Sequence, residues 1–392
     1  MQTYTRRRIL AGLAVGLGTV ACGPAAVAGV STSGRQAFAP TAGAAVCRDP
    51  RAYLQFAINV HDTVHVDQSA ATLLRAITLF EKHGVAGDFY LTGPMTRLYS
   101  QHYPEVIERL RASAMAISYH VRPPHPLYEG FDGRLRGLSD AQLRQALLDY
   151  ETFGLDLATG EPVRTEHGGY SYVAEVMGRA PVVAGAPNSD QRIKSTALDI
   201  YKGLGAKMAV FFHEEGTRPE RPFEYRNGLL ARPSDFSVTR WTAPTLTAKP
   251  GGDQDPFWWN MLMGAHAAEY NPTGYLKQRL AAWSYDRPAL VTALIHENNY
   301  YRSGAEAWTL RYFSDTEKTR PLTPPFNMDA PDPSKLRSAA EQDAIWAAYK
   351  ELVAYAASEL RAVTSQDVLT LAAASDASGQ IASACTVLPM GR

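Results

Sequence analysis

Two periods of apolar and polar positions alternate along this chain. Leu54-Gln55-Phe56-Ala57-Ile58-Asn59-Val60 is a nearly continuous apolar run that stops on His61-Asp62, which is the pattern of a short buried strand. The segment from Ser69 to His83 then sets Leu73, Leu74, Ile77 and Phe80 on one helical face, with Gly84 where a C-terminal cap is wanted. A second strand is predicted over 86–92, a helix over 104–113 with Pro104 at its first turn, and a third strand over 114–119 that ends on His120. Strand and helix have then alternated twice, which argues for a parallel sheet with crossover helices.

The alternation continues downstream. Ser139 suits an N-cap for a helix reaching Phe153, with Leu143, Ala146, Leu147 and Tyr150 at helical spacing. A turn-rich stretch with Arg164 and His167 follows, then a strand over 181–185, a helix over 193–204, and a strand over 207–212 ending on His213. Residues 218–255 read as loop with weak strand signals, 257–270 as helix, and 288–295 as a strand ending on His296. A proline-rich excursion over 320–333 precedes a helical segment over 338–363, a short helix and a tail, with no repeat at solenoid periods. Several strands thus deliver His or Asp at their C-terminal ends, where α/β barrels keep their chemistry. The expected class is α/β, with one mouth ringed by His61, Asp62, His120 and His296.

The first 28 residues stand outside this pattern. Thr5-Arg6-Arg7-Arg8-Ile9-Leu10 matches a twin-arginine signal, followed by a Gly- and Ala-rich apolar region, Ile9 to Ala21, too short to span a bilayer comfortably. Cleavage after Ala26-Val27-Ala28 would release a soluble exported chain, periplasmic or secreted. Cleavage before Cys22 would leave a lipid-anchored one, although Thr19 stands where a lipobox wants Leu. Residues 29–46 read as a flexible linker and 47–392 as a single domain. No other segment approaches about eighteen uninterrupted apolar residues, so the mature chain is expected to have no transmembrane segment. With Cys22 lost in the leader, Cys47 and Cys385 suggest a disulfide in an oxidising compartment, the other reading being two unpaired thiols.

Composition narrows the partners. The 392 residues are 45% hydrophobic and 20% charged, with 39 basic and 39 acidic side chains. That is an ordinary globular balance, and the absence of a basic run beyond the leader argues against a nucleic-acid partner. Oligomeric state is not written in the sequence.

The opening strand, the helix Ser69-Ala70-Ala71-Thr72-Leu73, the stretch Leu79-Phe80-Glu81-Lys82-His83-Gly84-Val85 and the strand Asp88-Phe89-Tyr90-Leu91-Thr92 resemble the start of the NodB-homology polysaccharide deacetylases, carbohydrate esterase family four. His120 stands where that family's second motif supplies histidines. Arg164 ahead of Gly168-Gly169-Tyr170 resembles the Arg-containing third motif, and Leu294-Ile295-His296 resembles the last. The resemblance spans Leu54 to Glu297 in outline, and it implies a distorted (β/α)7-type barrel and removal of acetyl groups from an acetylated carbohydrate.

That chemistry explains the residue types. The family's divalent metal, zinc being the expected ion, polarises an acyl carbonyl and acidifies water. Asp62, His120 and His125 form an acceptable set of one oxygen and two imidazoles that leaves a position open. His61 and His296 are the candidates for general base and general acid, with Arg164 orienting a catalytic carboxylate. Two departures stand out. The family has Asp where this chain has His61, so His61 is either base or ligand, with Asp67 an alternative base. The family spaces its histidines four apart, whereas His120-Val121-Arg122-Pro123-Pro124-His125 spaces them five apart, and the prolines forbid a helix between them. His65 and His167 are reserve ligands.

Blander readings stand beside these. Asp62 suits a cap for the following turn, His296 a core histidine paired with Glu297, and Arg164 a plain ion pair. Phe257-Trp258-Trp259 fits core packing, whereas Tyr300 and Tyr301, in a polar loop beside His296, are the expected sugar-stacking contacts. Two other functions fit the departures: a catalytically inactive barrel that binds glycan, and a metal-dependent hydrolase of non-peptide C–N bonds in another substrate.

Overall fold

Nine consecutive buried residues form β1 (Ala52–Val60), and the main sheet extends from its two edges. The computed structural model describes residues 50–210, 223–231, 271–281, 283–284, 287–375 and 387–388. The leader, the linker, all three cysteines, His213 and the helix expected over 257–270 with its two tryptophans lie outside the described residues.

After β1 come α1 (Val66–Lys82) and β2 (Asp88–Leu91), then α2 (Gly93–His102), α3 (Pro104–Ala112) and β3 (Ala116–Tyr119). The apolar pattern does not announce α2. It starts because Thr92 accepts a hydrogen bond from the Met95 N–H and Pro94 sits in the first turn. Next are α4 (Asp140–Tyr150), opened by a Ser139–Gln142 capping box, and an antiparallel pair, β4 (Phe153–Leu155) with β5 (Pro162–His167). This hairpin occupies the stretch that reads as turns, because β5 is mostly exposed and carries no apolar alternation. The chain continues through α5 (Gly169–Met177), β6 (Val183–Gly185), α6 (Gln191–Leu204), β7 (Met208–Val210), β8 (Tyr225–Arg226), β9 (Leu229–Ala231) and β10 (Ala289–His296).

The main sheet runs β10-β1-β2-β3-β6-β7-β9-β8, parallel throughout except for the terminal β8/β9 pair. Its curl makes a distorted (β/α) barrel, as the alternation predicts. The long helix expected to reach residue 363 stops at Glu359, and Arg361-Ala362 pairs with Tyr53-Leu54 instead. The reason lies in strand lengths. The short β2 pairs only with residues 57–60 of β1 and leaves the start of that edge open.

Register places the site. Asn59 lies opposite His296, Val60 opposite Leu91, and Leu91 opposite Tyr119. The C-terminal ends of β10, β1, β2 and β3 are therefore level, so His61, His120 and His296 emerge side by side.

At the other end of the barrel Asp88 is fully buried and accepts hydrogen bonds from the Gln55 amide at 2.9 Å, the Ser365 N–H at 3.1 Å and the Ser365 hydroxyl. Burial outweighs these bonds and pushes its pKa up to about 6 from 3.8. A raised folded-state pKa means that the native state holds the proton more tightly. That stabilisation is complete below the unfolded pKa and is lost as pH rises through about 6, a swing of about 3 kcal/mol. The melting temperature is expected to fall between about pH 4 and about pH 8, and less steeply in Asp88→Asn, as differential scanning fluorimetry across that range would show. Equal slopes in the two proteins would exclude Asp88 as the source.

Candidate active site

β1 and β10 deliver His61 and His296 with ring centroids 4.6 Å apart, and β3 delivers His120 with its ring 5.9 Å from His61. The loop after β10 folds back over them. From it Glu306 reaches 3.5 Å from His61 Nε2, and the Trp308 indole N–H donates to His61 Nδ1 at 3.2 Å. Among the described residues, one group brings three metal-competent ligand atoms within 4.8 Å of one another: His61, His296 and Glu306, all buried.

Burial pushes the three imidazoles well below the ordinary histidine range, and the Arg122 guanidinium pushes in the same direction. They are neutral at neutral pH, the form that binds metals. His296 Nε2 faces the Asn59 amide N–H at 3.2 Å and a guanidinium N–H of Arg122. Both are donors, so Nε2 accepts and the ring proton sits on Nδ1. Lys318 caps the far side, paired with Glu306 and 4.7 Å from the centre of the Trp308 ring.

The cavity at this mouth is walled by His61, His120, Arg122, His125, Trp308 and Tyr312. Its free volume is about 30 Å³, room for a water or a small headgroup and too little for a whole pyranose.

The residues expected from sequence separate into those that line this cavity and those that do not. His61 and His120 line it, whereas Asp62 is not one of its walls: Oδ1 accepts from the Val64 and His65 N–H groups at 3.0 and 3.1 Å, and Oδ2 from the Tyr301 hydroxyl at 2.9 Å. His125 lines the cavity, yet its Nδ1 accepts from the Leu127 N–H and its Nε2 lies 3.3 Å from the buried Glu151 carboxylate. Asp62, His120 and His125 therefore do not bring their ligand atoms within 4.8 Å of one another, and both ring nitrogens of His125 are engaged. Arg164 sits on the exposed hairpin, 2.5 Å from Asp149. Tyr300 and Tyr301 are buried rather than displayed to a sugar: Tyr300 stacks on Trp346 at 4.1 Å, and Tyr301 holds Asp62. His65 pairs with Asp332, His167 with Glu175, and Asp67 is exposed in the first turn of α1.

Several site residues escape sequence reasoning. Arg122 lies between the two motif histidines and reads there as a spacer. Asn59 is the polar residue nearest the end of β1, and Glu297 follows His296 directly. Glu297 accepts from the backbone N–H groups of His61 and Asp62 at 2.8 and 2.6 Å, so it ties β10 to the end of β1. Burial, helped by Asp62, pushes its pKa up to about 7. Glu306, Trp308 and Lys318 lie in a polar loop with no periodicity, and nothing local marks them.

No family model matches the chain, and no curated protein matches it. Solved structures do show similarity. A Mycobacterium smegmatis chain assigned to the polysaccharide deacetylases is 12% identical, with 82% of this chain and 90% of that one covered and a TM-score of 0.44. The PuuE allantoinase is 14% identical over 81% of this chain and 89% of its own, with a TM-score of 0.41. A family 4 carbohydrate esterase from Streptomyces lividans, solved with acetate, is 10% identical over 70% of this chain and 99% of its own, with a TM-score of 0.30.

Proposed function

We propose that this chain is an exported, metal-dependent hydrolase of the polysaccharide deacetylase type that removes acetyl groups from a carbohydrate. The observation that carries this reading is the convergence of His61, His296 and Glu306 at the C-terminal mouth of the barrel.

The donor set fits a divalent ion. Two imidazoles held neutral and one carboxylate make the three-ligand arrangement that suits catalytic zinc, and His61 Nε2 is buried with no hydrogen-bond partner. An ion on that nitrogen would require the proton on Nδ1, so Trp308 would have to turn its N–H away. When bound, the ion would polarise the acyl carbonyl and lower the pKa of water. The chain's own groups do the rest. His120, whose Nε2 is buried without a hydrogen-bond partner, is placed to take or give a proton there. His296 Nε2 accepts from Arg122 and Asn59, so His296 would join the ion only if those two donors released that nitrogen. Leu155, Leu157, Trp308 and Tyr312 give the cavity its apolar walls. In the alternative set with Asp62 and His120, an ion would share Asp62 Oδ2 with the Tyr301 hydroxyl.

A second reading is a barrel that binds glycan without turnover. It is favoured by the cations already on two of the donors, Arg122 on His296 and Lys318 on Glu306. Metal content of the purified mature chain, together with acetate release from acetylated oligosaccharides and from simple amides, separates the readings. Stoichiometric metal with acetate release from glycans is the expected result. Neither metal nor acetate would sink the hydrolase reading, and release from amides alone would move the substrate to a non-sugar C–N bond.

A further inference from the structure

Arg122 lies in a buried setting where the Glu297 carboxylate favours its charge from a distance but makes no ion pair with it. No carboxylate among the described residues lies within the 4.0 Å of an ion pair, and its polar contacts are the neutral His296 Nε2 and the Tyr128 hydroxyl. Its Nε is sealed from solvent with no hydrogen-bond partner. The nearby carboxylates are bonded elsewhere, apart from Glu297 Oε2, which is buried without a hydrogen-bond partner. Glu306 is paired with Lys318, Glu297 spends Oε1 on His61, Asp62 and Ser69, and Asp62 is held by Tyr301 and its own turn. A partly buried guanidinium without a counter-charge is unfavourable, and removing it from water makes any anion that reaches it bind more strongly. Arg122 is one of the residues that line the cavity.

We infer that Arg122 makes the cavity a receptor for a carboxylate. This rests on the hydrolase reading of the same mouth and narrows its ligand. The planar guanidinium matches a carboxylate in shape as well as charge, and the free volume of about 30 Å³ admits a headgroup of that size but not a sugar ring. Two sources present the same group: the acid released when an acyl bond is hydrolysed, and a carboxylate on the substrate itself. In either case the anion sits beside the histidines, held by Arg122.

The test uses the mature full-length chain in carboxylate-free buffer, read by Trp fluorescence and calorimetry. The probes are acetate against its neutral isostere acetamide, and glucuronate against glucose. At least one acid is expected to bind about tenfold or more tightly than its neutral partner. That preference should disappear in Arg122→Met, persist in reduced form in Arg122→Lys, and be unchanged in Arg109→Met, whose side chain pairs with Glu81 on the exposed face of α3. Acetate alone showing the preference identifies the released acid, and glucuronate showing it identifies an acidic substrate. Equal binding of acid and neutral probes by the wild-type chain overturns the inference whatever the variants do, as does an undiminished preference in a folded Arg122→Met. Acid binding without any hydrolysis keeps the receptor and removes the hydrolase reading. Hydrolysis without acid preference does the reverse.

Discussion

Glu306→Gln is expected to weaken zinc binding by more than about a hundredfold, since even groups that only orient a ligand contribute ten- to a hundredfold. Glu306 supplies the carboxylate of the converging group and is only 6% exposed, so no solvent-borne oxygen replaces it cheaply. Glutamine keeps the shape and the volume, so the fold should survive and the loss be one of charge. His61→Ala should act in the same direction. Lys318→Met should act in the opposite one: the ammonium that now pairs with Glu306 competes with an ion for the same carboxylate, and its removal should tighten binding. Competition against a chromophoric chelator reads all three variants, and acetate release should follow metal occupancy. Wild-type zinc affinity in Glu306→Gln would place the ion elsewhere, and the set containing Asp62 would then gain.

Much of the fold is legible in the residue pattern, and the reason is local. β1 and β10 are long, apolar and buried over their whole length, so their periodicity speaks for itself. Segments whose structure depends on distant partners are silent. The α2 helix rests on a cap and a proline, the β4/β5 hairpin on pairing across a mostly exposed strand, and Arg361-Ala362 on an edge that the short β2 leaves open.

The site divides in the same way. His61, His120 and His296 are legible because each ends an apolar strand, and register alone brings them level. The family pattern extends that reading to Asp62, His125 and Arg164 by position, but position does not reveal that Tyr301, Glu151 and Asp149 bond them elsewhere. Tyr300 and Tyr301 sit in a polar sequence that ordinarily means a surface loop. Both are drawn inward, one by the Trp346 ring and the other by a buried carboxylate. Glu306 and Lys318 could be found only by folding the loop over the mouth.

Asp62→Ala is expected to lower the melting temperature by roughly 5–10 °C, from a loss of roughly 3–5 kcal/mol. The side chain is fully buried, and its removal leaves the Val64 and His65 N–H groups and the Tyr301 hydroxyl without their acceptor. Asp62→Asn keeps one oxygen and should lose less. Tyr301→Phe removes one bond and should lose about 1 kcal/mol, and the two changes together should be less than additive because they break the same contact. Thermal melts of the four proteins give these values, and zinc affinity measured on the same samples separates stability from ligation. If Asp62 is a turn cap, the folded variants keep their ion while their melting points fall. If Asp62→Asn keeps its melting point and loses zinc, Asp62 is a ligand after all, with Tyr301 orienting it through the bond to Oδ2.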